Sequence, residues 1–226
     1  MITFEGVHHS YGERVVLRGI DLTLSERRVG IVGANGSGKS TLARMINGLI
    51  SPSRGRVGVD GLDVARQGAA VRRRVGFVFP DPEAQIVMPT VAEDVDFSLR
   101  RHRLDRAERA ERVREALARF GLADHADHPA HRLSSGQKQL LALAAVLVTQ
   151  PAVLVADEPT TLLDRRNARE ITRLLAGLDQ QVVLVTHQLE LLADWDRVVV
   201  IDAGRVVADG PPQESLEHYR RLMDES

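Results

Sequence analysis

The sequence predicts an α/β fold: a parallel sheet covered on both faces, a flanking antiparallel β layer, and a helical subdomain inserted at residues 81–150. Three observations predict it. The runs Val153-Leu-Val-Ala156, Val182-Val-Leu-Val185 and Val198-Val-Val-Ile201 are continuously apolar, as strands buried on both faces of a parallel sheet are. Val29-Gly-Ile-Val32 is a run of the same length that feeds a glycine-rich turn and then a helix-compatible stretch. Between 81 and 150 the apolar spacing changes to a helical period.

In chain order, residues 1–28 alternate apolar and polar, with turn signals at Tyr11-Gly12 and Arg18-Gly19. The stretches 15–17 and 20–24 are expected to be short antiparallel strands. After the glycine turn and the helix over 42–46, Ser51-Pro-Ser-Arg-Gly55 is a turn. Residues 56–59 and the turn Asp60-Gly61 extend the antiparallel layer. Val75-Gly-Phe-Val-Phe79 is a buried strand ended by Pro80. Residues 106–120 place Ala107, Ala110, Val113, Leu117 and Phe120 on one helical face, with Arg and Glu on the solvated remainder. A more apolar helix follows over 137–149, and another over 165–178. Asp202-Ala-Gly-Arg205 reads as a hairpin turn into 206–208. The core units are therefore 1–80 and 151–226, one domain with the helical insertion, and no internal repeat interrupts it.

The chain has 226 residues, 43% of them hydrophobic, which suffices for a real core. Thirty basic residues oppose 31 acidic ones for a net charge of −1, so no global attraction draws it to nucleic acid or an anionic membrane. With no cysteine, disulfides and thiolate metal sites are excluded. No apolar run approaches the roughly 20 residues of a membrane-spanning helix. Met1-Ile-Thr-Phe-Glu5 carries neither the basic nor the apolar region of a signal peptide. An intracellular chain is expected, reaching a membrane only through a partner.

Gly33-Ala-Asn-Gly-Ser-Gly-Lys-Ser-Thr41 fits G-x-x-x-x-G-K-[ST] between a strand and a helix. Gly33, Asn35, Gly36, Ser37 and Gly38 supply backbone N–H groups to a polyphosphate at a helix N-terminus. Lys39 reaches the terminal phosphates, and the Ser40 hydroxyl, beside Thr41, coordinates Mg²⁺. The chain is expected to bind a nucleoside triphosphate. Asp157 and Glu158 end the strand that begins at Val153, a placement beside the phosphate loop at the carboxyl edge of a parallel sheet. Asp157 suits Mg²⁺, and Glu158 suits a base that orients and deprotonates a water attacking the γ-phosphate.

Leu133-Ser-Ser-Gly-Gln137 stands immediately before the apolar helix. With residues 33–41, Asp157-Glu158, Leu162-Leu-Asp164 and His187, it resembles the nucleotide-binding subunit of ABC transporters, over essentially the whole chain. That resemblance implies a P-loop NTPase of the RecA-like type, binding ATP with Mg²⁺ and hydrolysing it. It further implies head-to-tail pairing with an identical or different ATPase, each nucleotide lying between one phosphate loop and the partner's Ser134, Ser135, Gly136 and Gln137. Tyr11 is implied to stack on adenine, His187 to contact the γ-phosphate, and Asp164 to bridge the two sites.

The stretch from Pro82-Glu-Ala-Gln85 to Phe97 looks most like the energy-coupling-factor importers, which take up vitamins or transition-metal cations. Residues 134–141 and 160–164, with the compact length, resemble most closely the biotin type, then the cobalt and nickel type. This implies a transmembrane coupling subunit, a solute-binding membrane subunit, a place at the cytoplasmic face of the membrane, and no nucleic-acid partner. An exporter driven by the same motor is the alternative. A non-transport ATPase of the same family on DNA or ribosomes would carry a long coiled coil or tandem units.

Two positions depart from the family's pattern. Ser135 stands where glycine is usual, which weakens closure if the site needs positive φ. Pro80 stands where a metal-contacting glutamine is usual, and proline has neither side-chain donor nor N–H. Gln85 is the candidate stand-in on Mg²⁺, and slow or altered coupling of ATPase activity is expected. His125, His128 and His131 hint at a metal site with Asp124 and Asp127, but Pro129 breaks any face that would converge them, so a surface loop is expected. Arg72-Arg-Arg74 and Arg100-Arg-His-Arg103 read as solvated surface, in places suited to docking on a membrane partner.

Overall fold

Alternate residues of one sheet feed two separate cores, and this organises the molecule. The computed structural model describes residues 1–224. In chain order it contains β1 (Ile2–Tyr11), β2 (Arg14–Leu24), β3 (Arg28–Val32), α1 (Lys39–Ile46), β4 (Arg54–Val59), β5 (Leu62–Asp63), α2 (Gly68–Arg74) and β6 (Val75–Val78). Then come α3 (Val91–Ser98), α4 (Arg106–Arg119), α5 (Ser135–Leu147), β7 (Val153–Asp157), α6 (Arg165–Ala176), β8 (Gln181–Val185), β9 (Arg197–Asp202), β10 (Arg205–Gly210) and α7 (Pro212–Asp224).

The large sheet has the order β10-β9-β3-β8-β7-β6, with β10 antiparallel on β9 and the other pairs parallel. Val29, Ile31, Val155, Val183 and Val199 enter the core beneath β1, β2, α1 and α2. Val32, Leu154, Ala156, Leu184 and Val200 enter the core shared with α3 to α7. A sheet whose two faces are both dry needs apolar residues at every position, which is why these strands show no alternation. The second sheet, β2-β1-β4-β5, is antiparallel. Its inner face carries Ile2, Phe4, Leu17 and Leu22, and its outer face is exposed, so there the alternation returns.

Residues 15–17 and 20–24, expected as two strands, are one strand. Arg18-Gly19 is not a turn: the register slips between Val7 and His8 opposite it, and the pair is absorbed as a bulge. The helical insertion begins at each helix with a side-chain cap. Thr90 and Glu93 form a capping box on α3, Asp105 accepts from Glu108 N at 2.8 Å on α4, and Ser134 with Gln137 forms a capping box on α5. Each such cap contributes about 1 kcal/mol. Val91, Val95, Val113, Leu117, Phe120 and Leu141 then join the same core as the large sheet, so the insertion is welded to it. Among the described residues no helix is long and apolar enough to cross a membrane.

Candidate nucleotide-binding site

Strand order brings the motifs together. β3 delivers the phosphate loop, β7 delivers Asp157 and Glu158, and β8 lies between them in the sheet. His187 follows β8, so it emerges between the loop and the carboxylates. Asp157 is paired in register with Val185, and Glu158 N donates to Val185 O at 2.9 Å.

The loop itself is shaped by glycine. A Cβ at Gly33 would lie 2.0 Å from Ile201 O, and one at Gly38, where φ is 109°, would lie 2.7 Å from Leu17 Cδ2. Any side chain at either place forces the loop off the sheet. Gly38 is also the residue before the first turn of α1, so the helix N-terminus opens directly onto the loop, with Asn35, Gly36 and Ser37 preceding it. The Ser37 hydroxyl is buried and unpartnered.

Lys39 is 6% exposed and donates from Nζ to Gly33 O at 2.8 Å and Ala34 O at 2.9 Å. Burial pushes its ammonium below the usual lysine range, and the carboxylates of Glu158 and Asp157 oppose that. Ser40 Oγ donates to Asp157 Oδ1 at 2.7 Å, while the neighbouring Thr41 is buried. Asp157 is fully buried, and its other oxygen accepts from Arg44 Nη2 at 3.3 Å. Glu158 Oε2 sits 2.8 Å from His187 Nδ1 and accepts from Thr161 Oγ1 at 3.3 Å. Lys39, Ser40, Asp157, Glu158 and His187 thus form one cluster of complementary charge beside a phosphate-shaped loop.

Arg44 and Thr161 escape sequence reasoning. The signal for Arg44 is its spacing: it lies one helical turn after Ser40 on α1, so both can meet Asp157. The signal for Thr161 is equally local: Glu158-Pro-Thr-Thr161 is a turn with proline at its second position, closed by Thr161 N donating to Glu158 O at 3.2 Å.

The remaining candidates lie apart from this cluster. Tyr11 ends β1 with 51% exposure, and the ring of His9 stands edge-on to it at 4.6 Å between centroids. Ser134, Ser135, Gly136 and Gln137 open α5, and among the described residues no hydrogen bond joins them to residues 33–41. Asp164 caps α6, accepting from Asn167 N at 2.8 Å and from Asn167 Nδ2 at 3.1 Å. Asn167 in turn faces Gly136, within 3.5 Å of where a Cβ would stand.

Two local expectations change, those for Ser135 and Gln85. Ser135 is the first residue of α5 and is not among the residues of positive φ, so the strain suggested for a serine there does not arise. Gln85 is turned back on the end of β6: its Oε1 accepts from Phe79 N at 3.1 Å and its Nε2 donates to Phe77 O at 3.3 Å. The amide is engaged with backbone and not with Ser40 or Asp157. His125 and His128 do face one another, whereas His131 lines a separate cavity with Glu83, Val87, Met88 and Lys138. Among the described residues no group of three or more His, Asp or Glu side chains is placed to hold a metal. Arg72, Arg73 and Arg74 fill the last turn of α2, and Arg100 lies over the Phe97 ring at 4.9 Å.

Comparison with known proteins agrees with this geometry. The ABC transporter family model matches residues 17–161. A putative ABC transporter ATP-binding protein of Deinococcus radiodurans is 51% identical over 99% of both chains. The biotin transport ATP-binding protein BioM of Rhizobium etli is 45% identical over 98% of both. Among solved structures, cbiO1 of Clostridium perfringens, part of the ABC transporter complex cbiONQ, superposes with a TM-score of 0.86 at 33% identity, over 99% of this chain and 93% of that one. The phosphate loop, its carboxylate strand and the whole-length relatives lead to one conclusion: this chain belongs to the ATP-binding subunits of ABC transporters, ATPases coupled to transport.

Proposed function

We propose that this ATPase powers uptake of a small nutrient, a vitamin such as biotin or a transition-metal cation such as cobalt, through an energy-coupling-factor transporter. The observation that carries the reading is the 45% identity to BioM along 98% of both chains. The exporter reading uses the same motor.

The residues present fit a magnesium ion. A hydroxyl from Ser40 and a carboxylate from Asp157 are oxygen donors, which a hard cation prefers. When bound there, Mg²⁺ would neutralise charge on the phosphates. Lys39 would leave the carbonyls of Gly33 and Ala34 for a phosphate oxygen, which gives its buried ammonium a charged acceptor. Glu158 would hold and deprotonate the attacking water, with His187 fixing the carboxylate's orientation.

Ser134 stands at the N-terminus of α5 with no nucleotide loop of its own chain to serve. This supports the head-to-tail dimer, in which it meets the partner's γ-phosphate where the helix dipole favours an anion. The partner is a second copy or a related ATPase, and the pair sits at the cytoplasmic face of the membrane on a coupling subunit and a solute-binding subunit. Purifying the tagged chain from detergent-solubilised membranes and identifying its companions tests this. One coupling subunit with a small, very hydrophobic solute-binding protein is the expected result. Recovery of an exporter-like membrane partner would overturn the uptake reading and leave the ATPase in place.

A further inference from the structure

The first turn of α5 is held by a chain of contacts in which each proton has a required place. Ser134 N can only donate, so the Gln137 atom 2.9 Å from it is the carbonyl oxygen Oε1. The Gln137 amide nitrogen, a donor only, then faces His125 Nε2 at 2.9 Å. That ring nitrogen must therefore carry a lone pair, which puts the His125 proton on Nδ1. His125 Nδ1 in turn lies 2.8 Å from His128 Nδ1. One of these two must accept, so His128 carries its proton on Nε2. Both rings are neutral and each is restricted to one tautomer.

One more proton breaks this arrangement wherever it lands. On His125 Nε2 it points a donor at the Gln137 amide donor. On His128 Nδ1 it faces the His125 Nδ1 proton, and moving that proton to Nε2 recreates the first conflict. With the two rings kept in contact, the way out is rotation of the Gln137 amide, which offers Oε1 to His125 and removes the acceptor from Ser134 N. The proton comes from solvent, to which His128 is exposed.

Surrounding charges do not occupy the rings. The same segment carries Asp124, Asp127, His131 and Arg132. From α3, Glu93 is held by Thr90 N and Oγ1; from α4, Arg114 pairs with Glu111; from α5, Lys138 pairs with Glu83. Backbone contacts fix the loop itself, with Val91 N donating to His128 O at 3.2 Å and Ala92 N to Ala126 O at 2.9 Å.

We propose that His125 and His128 are positioning residues for Ser134-Ser-Gly-Gln137: a neutral pair that holds Gln137 against Ser134 and releases it on taking up one proton. The consequence for ATP-driven pairing rests on the dimer reading above, whereas the release itself does not.

The test uses the full-length chain with ¹⁵N-labelled histidine and backbone amides, at about pH 7.5 and about pH 5.5, either side of the ordinary histidine range. At the higher pH, imidazole spectra are expected to show the proton on Nδ1 of His125 and on Nε2 of His128. At the lower pH, exchange of the Ser134 amide, corrected for its intrinsic pH dependence, is expected to rise about fivefold relative to amides deeper in α5. His125→Gln keeps an acceptor for Gln137 without titrating, so its Ser134 exchange should not respond to pH. His125→Phe should exchange fast at both. A proton on His125 Nε2 at the higher pH, or the same acid response in His125→Gln, overturns the proposal. The wild-type tautomers decide it even where a variant fails to fold.

ATP-dependent self-association of Glu158→Gln, followed by sedimentation, is expected to weaken about fivefold at the lower pH and to lose that dependence when His125→Gln is added. Absence of self-association at every pH, with the spectra as expected, would sink pairing with a second copy, leave a related ATPase as the partner, and leave the histidine pair standing.

Discussion

Glu158 Oε2 and His187 Nδ1 lie 2.8 Å apart, and the backbone that makes this contact holds Glu158 at a φ of 51°. A glutamate in the left-handed region is uncommon. It accompanies a carboxylate that meets His187, two residues beyond the end of β8. Glu158→Gln is expected to lower the hydrolysis rate by about 10²–10⁴-fold, the usual range for a lost general base, with ATP affinity little changed. Steady-state phosphate release and equilibrium nucleotide binding together check it. Stability separates by backbone: Glu158→Val should be about 1–2 kcal/mol less stable than Glu158→Gly in urea unfolding, because only glycine adopts this φ without cost.

Asp157 is held from two sides, by Ser40 Oγ at 2.7 Å and Arg44 Nη2 at 3.3 Å. Arg44→Met leaves a fully buried carboxylate with one partner fewer. Arg44 is itself 37% exposed, so solvent screens the pair and a loss of about 1 kcal/mol is expected. Unfolding in the presence of excess MgATP should recover most of it, since a bound cation takes over the role of the arginine. Ser40→Ala should raise the Mg²⁺ concentration needed for half-maximal nucleotide binding by about tenfold.

Asp94 predicts a pH dependence. It is 3% exposed, and burial raises its pKa above the usual aspartate value, against the amides of Val87 and Met88 that donate to it at 2.8 and 3.0 Å. The folded value exceeds the unfolded one, so the folded chain takes the proton first as pH falls. Its contribution to stability is complete below the unfolded value near 3.8 and is lost as pH rises through the folded value. Asp94→Asn keeps the acceptor and carries no charge. Its unfolding midpoint relative to wild type should be highest near neutrality and should fall steadily as the medium is acidified.

Ser135→Gly tests whether the departure from glycine weakens the motor. Ser135 is helical, so glycine removes no strain there and adds backbone freedom. The variant should lose about 0.5–1 kcal/mol of stability or less, given its place in the first turn, and ATP-dependent pairing should not improve. Tighter pairing would show that the serine does hinder closure.

Pro80→Gln asks the same of the other departure. With Gln85 bound to the backbone of Phe77 and Phe79, its amide does not replace the usual glutamine. Turnover or its coupling to transport is therefore expected to change when one is restored at position 80, measured in the purified chain and again in the assembled transporter. An unchanged rate in both would remove Pro80 as the cause of slow hydrolysis.

Much of this was legible because local chemistry and global placement coincide. Gly33 and Gly38 are required by contacts with Ile201 and Leu17 that the motif spacing already anticipates, and the apolar runs of β7, β8 and β9 announce a sheet buried on both faces. The Arg18-Gly19 signal misled because a glycine in a bulge looks, in sequence, like a glycine in a turn. Gln85 misled because its position relative to Pro80 says nothing of which way its amide points.

The sequence by itself determined the nucleotide, the sheet and the residues at its carboxyl edge, since a phosphate loop and doubly buried strands are local patterns. Tertiary structure alone decided the pairings. Strand order sets His187 between β3 and β7, the packing of α1 against β7 brings Arg44 onto Asp157, and the fold of the loop before α5 lets His125 meet Gln137 twelve residues away. Such contacts depend on directions of side chains carried by different elements, and a linear pattern does not encode direction.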